Sequence, residues 1–288
     1  MTFGTLLLVA LFAASVLCVQ RIEAIRGKEA TLEEVLYMPS AKVIKRLSLG
    51  YTGVLADIYW TRAVQYFGDK HIQRSTRFDL LYPLLNITTD LDPNLLAAYQ
   101  DGSVFLSQKP PWGAGQPDKA VALLDKGIHN NPEYWRMYFT LGFVNYLDRH
   151  DPKAAQKAFE AGSNVPGALP WMRVMAARMA ENADETSTAI TLWQGVYQTS
   201  HDKMVRDNAL KHVESLHAYV DIMELDRRVQ VYREKTGTTP KNWSDLVRTG
   251  LLRGIPTDPS GVPYTLNPSG FAWVQDSNAF PYLTQIGK

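Results

Sequence analysis

Along most of the chain, apolar residues recur three and four positions apart, the spacing that gathers them on one face of a helix. Trp60, Ala63, Val64 and Phe67 form such a face within residues 55–67, and a partner helix is expected over 78–85, before Leu91, Asp92 and Pro93. Ala120, Leu124 and Gly127 continue the pattern, followed by Tyr138, Leu141 and Gly142, then Ala154 and Ala161. Ala189, Trp193 and Val196 repeat it, and Ala209, Val213, Leu216, Val220 and Met223 extend it along one long helix over 203–235. The period changes only near the end. Beyond Gly237 and Pro240, a short helix N-capped by Asn242 leads to two strand-like stretches, 264–266 and 271–274. They flank Asn267-Pro268-Ser269-Gly270, the signal of a hairpin. The pattern predicts a mainly α chain with a small α+β module at its C-terminal end.

The helices also follow a longer period. Pro132 and Pro166 stand 34 residues apart, and between them a large residue comes early, small residues follow, and proline closes the second helix. In this order the segment resembles the tetratricopeptide repeat. The unit 133–166 matches best, with Tyr138, Leu141, Gly142, Ala154, Ala161 and Pro166 at the marked positions and Phe159 one residue late. The unit before it carries an inserted loop, Lys109 to Gly115. The unit after it, about 167–201, has Trp171 but lacks the glycine and the proline, and 54–93 reads as a degenerate first unit.

The resemblance implies a helical-hairpin solenoid over 54–201, a capping helix over 202–236 and a separate module over 237–288. It also implies binding rather than catalysis, because the first helix of each unit lines a concave face. The inward positions of the third unit are Arg136, Phe139, Phe143 and Tyr146; those of the fourth are Leu169, Met172, Ala176 and Met179, with Arg173 beside them. Apolar anchors rimmed by arginine suit an amphipathic helix or an extended peptide. The partner-binding candidates are therefore Arg136, Phe139, Phe143, Tyr146, Met172 and Arg173, joined by Trp112 in the inserted loop. The competing explanation is that the aromatic residues pack on a neighbouring repeat. Repeats that hold a terminal carboxylate place Lys and Asn where this chain has Phe139 and Phe143, so that ligand class is not expected.

Two further segments bear on location. Residues from about Leu225 to Val274, including Tyr232, Gly237, Pro240 and the run Ile255-Pro256-Thr257-Asp258-Pro259-Ser260-Gly261-Val262-Pro263-Tyr264, resemble the C-terminal globular part of type II secretion pseudopilins. The methylated N-terminal helix of a pilin is missing. The resemblance implies an alternative role, as a structural subunit of an envelope secretion or pilus-type assembly. At the other end, Phe3 to Val19 is uncharged and apolar, near the lower limit for a helix that spans a bilayer. A transmembrane anchor is expected within 1–20, because the run continues past the small pair Ala13 and Ser15 where a signal peptidase would cut; a cleaved signal is the alternative. Residues 21–53 then form a juxtamembrane connector. Arg21, Arg26, Lys28, Lys42, Lys45 and Arg46 follow the run, which by the positive-inside rule favours the cytoplasm. The pseudopilin-like tail points outward instead, so the periplasmic side is expected and the cytoplasmic one is the alternative.

Composition narrows the function classes. The formal net charge of +1 supplies no field for nucleic acid, and the single Cys18 excludes an intrachain disulfide or a multi-cysteine metal site. The histidines form no i, i+4 pair, and Asp148-Arg149-His150-Asp151 reads as a solvated turn between helices. Asp258-Pro259-Ser260-Gly261 has oxygen ligands suited to calcium, but a tight turn explains the same residues. No phosphate-binding glycine loop and no G-x-S-x-G elbow occurs. No metal, cofactor or catalytic residue is expected; an enzyme with a site in the concave groove is the remaining alternative.

Overall fold

The computed structural model describes Phe12, residues 14–17, Arg21 and residues 40–283. Most of the apolar run expected to be an anchor, and the connector up to residue 39 apart from Arg21, lie outside the described residues. Among the described residues, no helix is long and apolar enough to cross a membrane.

The described chain is mainly helical. It runs α1 (Ala41–Leu47), α2 (Thr52–Ile72), α3 (Leu81–Leu91), α4 (Leu96–Ser107), α5 (Pro117–Asn130) and α6 (Trp135–Phe143), which continues into a π-helical turn (Val144–Asp148). Then come α7 (Pro152–Ser163), α8 (Trp171–Asn182), α9 (Thr186–Thr199), α10 (Lys203–Thr236) and α11 (Trp243–Arg248). Two short strands, β1 (Thr265–Leu266) and β2 (Ala272–Trp273), pair antiparallel as the hairpin signal predicts.

Helices pack on their sequence neighbours, with α2 on α3, α4 on α5, and each of α6 to α9 on the helix that follows it. Small residues sit at the crossings because nothing larger fits. A Cβ on Gly127 would lie 2.6 Å from the Met137 sulfur and 2.8 Å from the Tyr99 ring, and one on Gly142 would lie 2.6 Å from the Phe159 ring. Lys126 ties α5 to α3: its Nζ donates to the Asn86 carbonyl and side chain and to Thr89 Oγ1, and pairs with Asp90 at 2.6 Å.

The first helix pair differs from expectation at its ends. The α2 helix is longer than 55–67, and α3 starts at Leu81 rather than 78, because Phe78 serves as a buried anchor in the preceding loop. The helix then includes Leu91 and stops at Asp92, whose extended backbone (φ −128°, ψ 99°) is what the following Pro93 demands. The inserted loop folds back on α4 through Ala114 N–H to Phe105 O (2.9 Å) and Gln116 N–H to Leu106 O (2.8 Å).

The long helix α10 belongs to two cores. Its first half sets Ala209, Val213 and Leu216 against Ala177 and Ala180 of α8 and Ala189, Trp193 and Val196 of α9. Its second half sets Ala218, Ile222, Leu225 and Val229 against Trp243, Leu246, Tyr264, Ala272, Val274, Phe280 and Leu283. The Trp243 indole fixes the tail by donating to the Tyr264 carbonyl at 2.7 Å.

Candidate functional site

Trp135, Phe139 and Phe143 recur four apart on α6, so their rings share one face. Phe139 meets Trp135 edge-on at 6.1 Å and Phe143 at 4.8 Å, and across the helix boundary it meets Trp171 of α8 at 5.3 Å. These are the offset and edge-to-face arrangements that aromatic quadrupoles favour. Arg136 stays exposed and lays its guanidinium 4.6 Å over the Trp135 ring. The row is thus half wall and half surface: inner edges lean on the buried Phe159, outer edges face solvent.

Trp171 also forms one side of a cavity of about 570 Å³, within the size range of ligand sites. Val174 of α8, Val196 of α9 and Val205 of α10 supply further apolar lining, and Arg173 and His201 bring polar groups to it. Arg173 is exposed and steadied by a hydrogen bond from Nη1 to Thr199 Oγ1 at 3.2 Å. Asp202, which also lines the cavity, caps α10, its Oδ1 accepting from the N–H groups of Met204 (2.7 Å) and Val205 (3.3 Å). An apolar recess with an arginine beside it has the chemistry to suit an apolar side chain flanked by a carboxylate or a backbone carbonyl.

The sequence-derived candidates divide under this geometry. Arg136, Phe139 and Phe143 belong to the ring row, Arg173 lies at the cavity, and Tyr146 is partly buried on the π-helical turn against the same core. Met172 is corrected: it is fully buried, as are Ala176 and Met179, because α8 is covered on both sides by α7 and α9. It packs into the core beside Phe159 and presents nothing to a partner. Trp112 is 66% exposed but stands in a different row, 5.4 Å from the His71 ring, whose Nδ1 lies 3.0 Å from the Pro111 carbonyl. Sequence reasoning did not assign Trp135 and Trp171 to the site, although the four-residue spacing of Trp135 from Phe139 carried a signal for Trp135.

Other chemistry-bearing residues are occupied structurally. Asp151 caps α7 by accepting from Ala154 N–H at 2.9 Å, and Arg149 bridges to Asp118 at 2.9 Å. Asp258 Oδ1 accepts from Ser260 N–H and Oγ and from Val262 N–H, closing its own turn. Among the described residues, no group of three His, Cys, Asp or Glu side chains is placed to hold a metal ion. His212 is buried between the Trp193 and Tyr282 rings, 4.0 and 3.6 Å away, with its Nδ1 2.7 Å from Glu181 Oε1. Comparison with known families finds no model that matches the chain, and comparison with curated proteins finds no matching sequence.

Proposed function

We propose that this chain is a membrane-anchored scaffold of the tetratricopeptide kind, which holds a protein partner on the aromatic face of α6 and α8 and has no chemistry of its own. The observation that carries this reading is the ring row Trp135–Phe139–Trp171 leading into an apolar cavity with Arg173 beside it. Partly exposed aromatic residues next to arginine are the residue types that dominate binding energy at interfaces. The small residues at helix crossings support a solenoid of hairpins, and the apolar Phe3 to Val19 run supports the anchor.

The partner is an amphipathic helix or an extended peptide, seated with one apolar side chain in the cavity. Crosslinking and mass spectrometry on the gently solubilised protein test this, with Trp171→Ala and Arg173→Glu combined in one variant. These residues are exposed enough to change without emptying the core. The expected result is a partner crosslinked to α6 and α8 in the native chain and lost in a variant that keeps its melting temperature. Undiminished capture by the folded variant sinks the reading.

A second reading, as a structural subunit of an envelope assembly, is favoured by one surface. Ile255, Phe271 and Trp273 of the tail are exposed apolar residues, Trp273 on the hairpin itself. Crosslinks confined to residues 255–273 support that reading over the first.

A further inference from the structure

The corner between α1 and α2 combines three features that a water-facing surface does not need. Leu47, Leu49, Tyr51 and Val54 are all exposed, Leu49 at 87%, and Val43 and Ile58 extend the patch along the two helices. Leu49 also holds a positive φ of 50°, a conformation unfavourable for a residue that carries a β-carbon. The turn thus accepts backbone strain and apolar exposure at one residue. Around it stand Lys42, Lys45 and Arg46, all exposed, against a single exposed Asp57 on the first turns of α2. The corner is not a loose end, since Ile44 is buried in the main core and Ser48 Oγ donates to the Lys45 carbonyl at 2.8 Å.

We infer that this corner rests on an anionic lipid surface, with Leu47, Leu49, Tyr51 and Val54 entering the headgroup region and Lys42, Lys45 and Arg46 meeting lipid phosphates. The inference rests on the membrane reading above and adds to it an orientation: the helical body is held against the bilayer rather than dangling from it. Exposed apolar groups interleaved with basic ones are the signature of a surface that lies in the interface. Continuity supports the lipid occupant, because the uncharged run read as the anchor ends at Val19, only about twenty residues of sequence before α1. Charge supports it too, each Lys or Arg near an anionic surface contributing about fivefold to the surface equilibrium.

The test uses the full chain with Cys18→Ser and Leu49→Cys, the new thiol carrying an environment-sensitive fluorophore. The chain is reconstituted into vesicles of phosphatidylcholine with phosphatidylglycerol, or of phosphatidylcholine alone, with spin labels on the lipid chains as quenchers. The expected result is blue-shifted, lipid-quenched emission in the anionic vesicles. It returns toward the aqueous spectrum in the neutral vesicles and in the triple variant Lys42→Glu, Lys45→Glu, Arg46→Glu, whose helicity by circular dichroism is unchanged. Flotation of the chain with the vesicles reports the anchor separately. A chain that floats with a water-exposed label overturns the docking surface and leaves the anchor standing; a chain that does not float overturns both. A blue shift without lipid quenching means a second copy covers the corner, and equal quenching in neutral vesicles removes the role of the basic residues; either result overturns the inference.

Discussion

At the scale of single residues, steric and electrostatic constraints make separate demands. Gly142 is required by the Phe159 ring, which is itself fully buried and has nowhere to go. Gly142→Ala is expected to lower stability by about 1–3 kcal/mol, the usual cost of overpacking, as read by chemical denaturation. Glu181 is a buried carboxylate that accepts from Trp193 Nε1 (2.8 Å), His212 Nδ1 (2.7 Å) and Arg178 Nη1 (2.7 Å). Its bond to His212 requires the proton to sit on Nδ1. Glu181→Ala leaves the indole and imidazole N–H groups buried without this acceptor, and a loss of about 1–3 kcal/mol is expected from leaving buried donors unsatisfied. A melting temperature within a degree or so of the native chain would show that the cluster is replaceable. Gly142 was legible because helix crossing needs small residues at a fixed spacing. The Glu181 cluster was not, since its partner His212 comes from another helix and its stacking neighbour Tyr282 from the tail.

Two carboxylates, Asp226 of α10 and Asp245 of α11, are shifted in opposite directions. Burial raises Asp226 above the ordinary 3.8, while Ala272 N–H and Arg233 pull it back down. The folded state therefore holds its proton more tightly than the unfolded chain, and this group's contribution to stability falls as pH rises from 3.8 through the raised value. Backbone N–H donation from Lys241 chiefly lowers Asp245, whose contribution is present above 3.8 and is lost as pH falls through its lowered value. Asp226→Asn keeps an acceptor for Ala272 N–H, which now reaches Oδ1 at 2.7 Å. The variant is expected to be at least as stable as the native chain at neutral pH and to flatten the stability profile above pH 3.8. Lower stability at neutral pH would mean that the charge, through Arg233, outweighs its burial.

At the scale of elements, ends set by local chemistry are more readable than ends set by packing. Asn242 was recognisable as a cap, and its Oδ1 accepts from Asp245 N–H at 3.2 Å while Asp245 Oδ2 accepts from Asn242 N–H in return. Asn242→Ala is expected to cost about 1 kcal/mol and to fray α11, measured as a lower thermal midpoint. Gly237 closes α10 at φ 71°, again as its sequence position suggested. The extra turns of α2 and the late start of α3 carry no such signal. The late start of α3 follows from Phe78 being drawn into the core, which holds the loop before α3 in place. The repeat resemblance likewise put Met172, Ala176 and Met179 on a concave face, but a neighbour on each side buries them.

At the scale of the whole molecule, α10 couples the helical body to the tail. Ending the chain after Gly237 uncovers Ala218, Ile222, Leu225 and Val229, which lose their apolar partners together. Amide exchange over residues 218–236 is then expected to approach unfolded rates, while residues 209–216 stay protected by α9. Protection retained across all of α10 would show that the helix does not depend on the tail. Tyr282 adds a second tie between the two regions, stacking on His212 and donating to Asn208 Oδ1 at 2.5 Å.

By itself the sequence determined the mainly helical class, the order of the helices, the C-terminal hairpin and the Asn242 cap. Each depends on contacts within a few residues, where spacing and side-chain chemistry act directly. The repeat resemblance also supplied Phe139, Phe143 and Arg173 as candidates, through the inward positions of its first helices. Only the tertiary structure decided which faces meet water. It took Met172 into the core and joined Trp171 to Phe139. It gave α10 to two cores, buried His212 against Glu181, and left the α1–α2 corner apolar and exposed. Those outcomes depend on which neighbour covers a face, and that neighbour comes from tens of residues away along the chain.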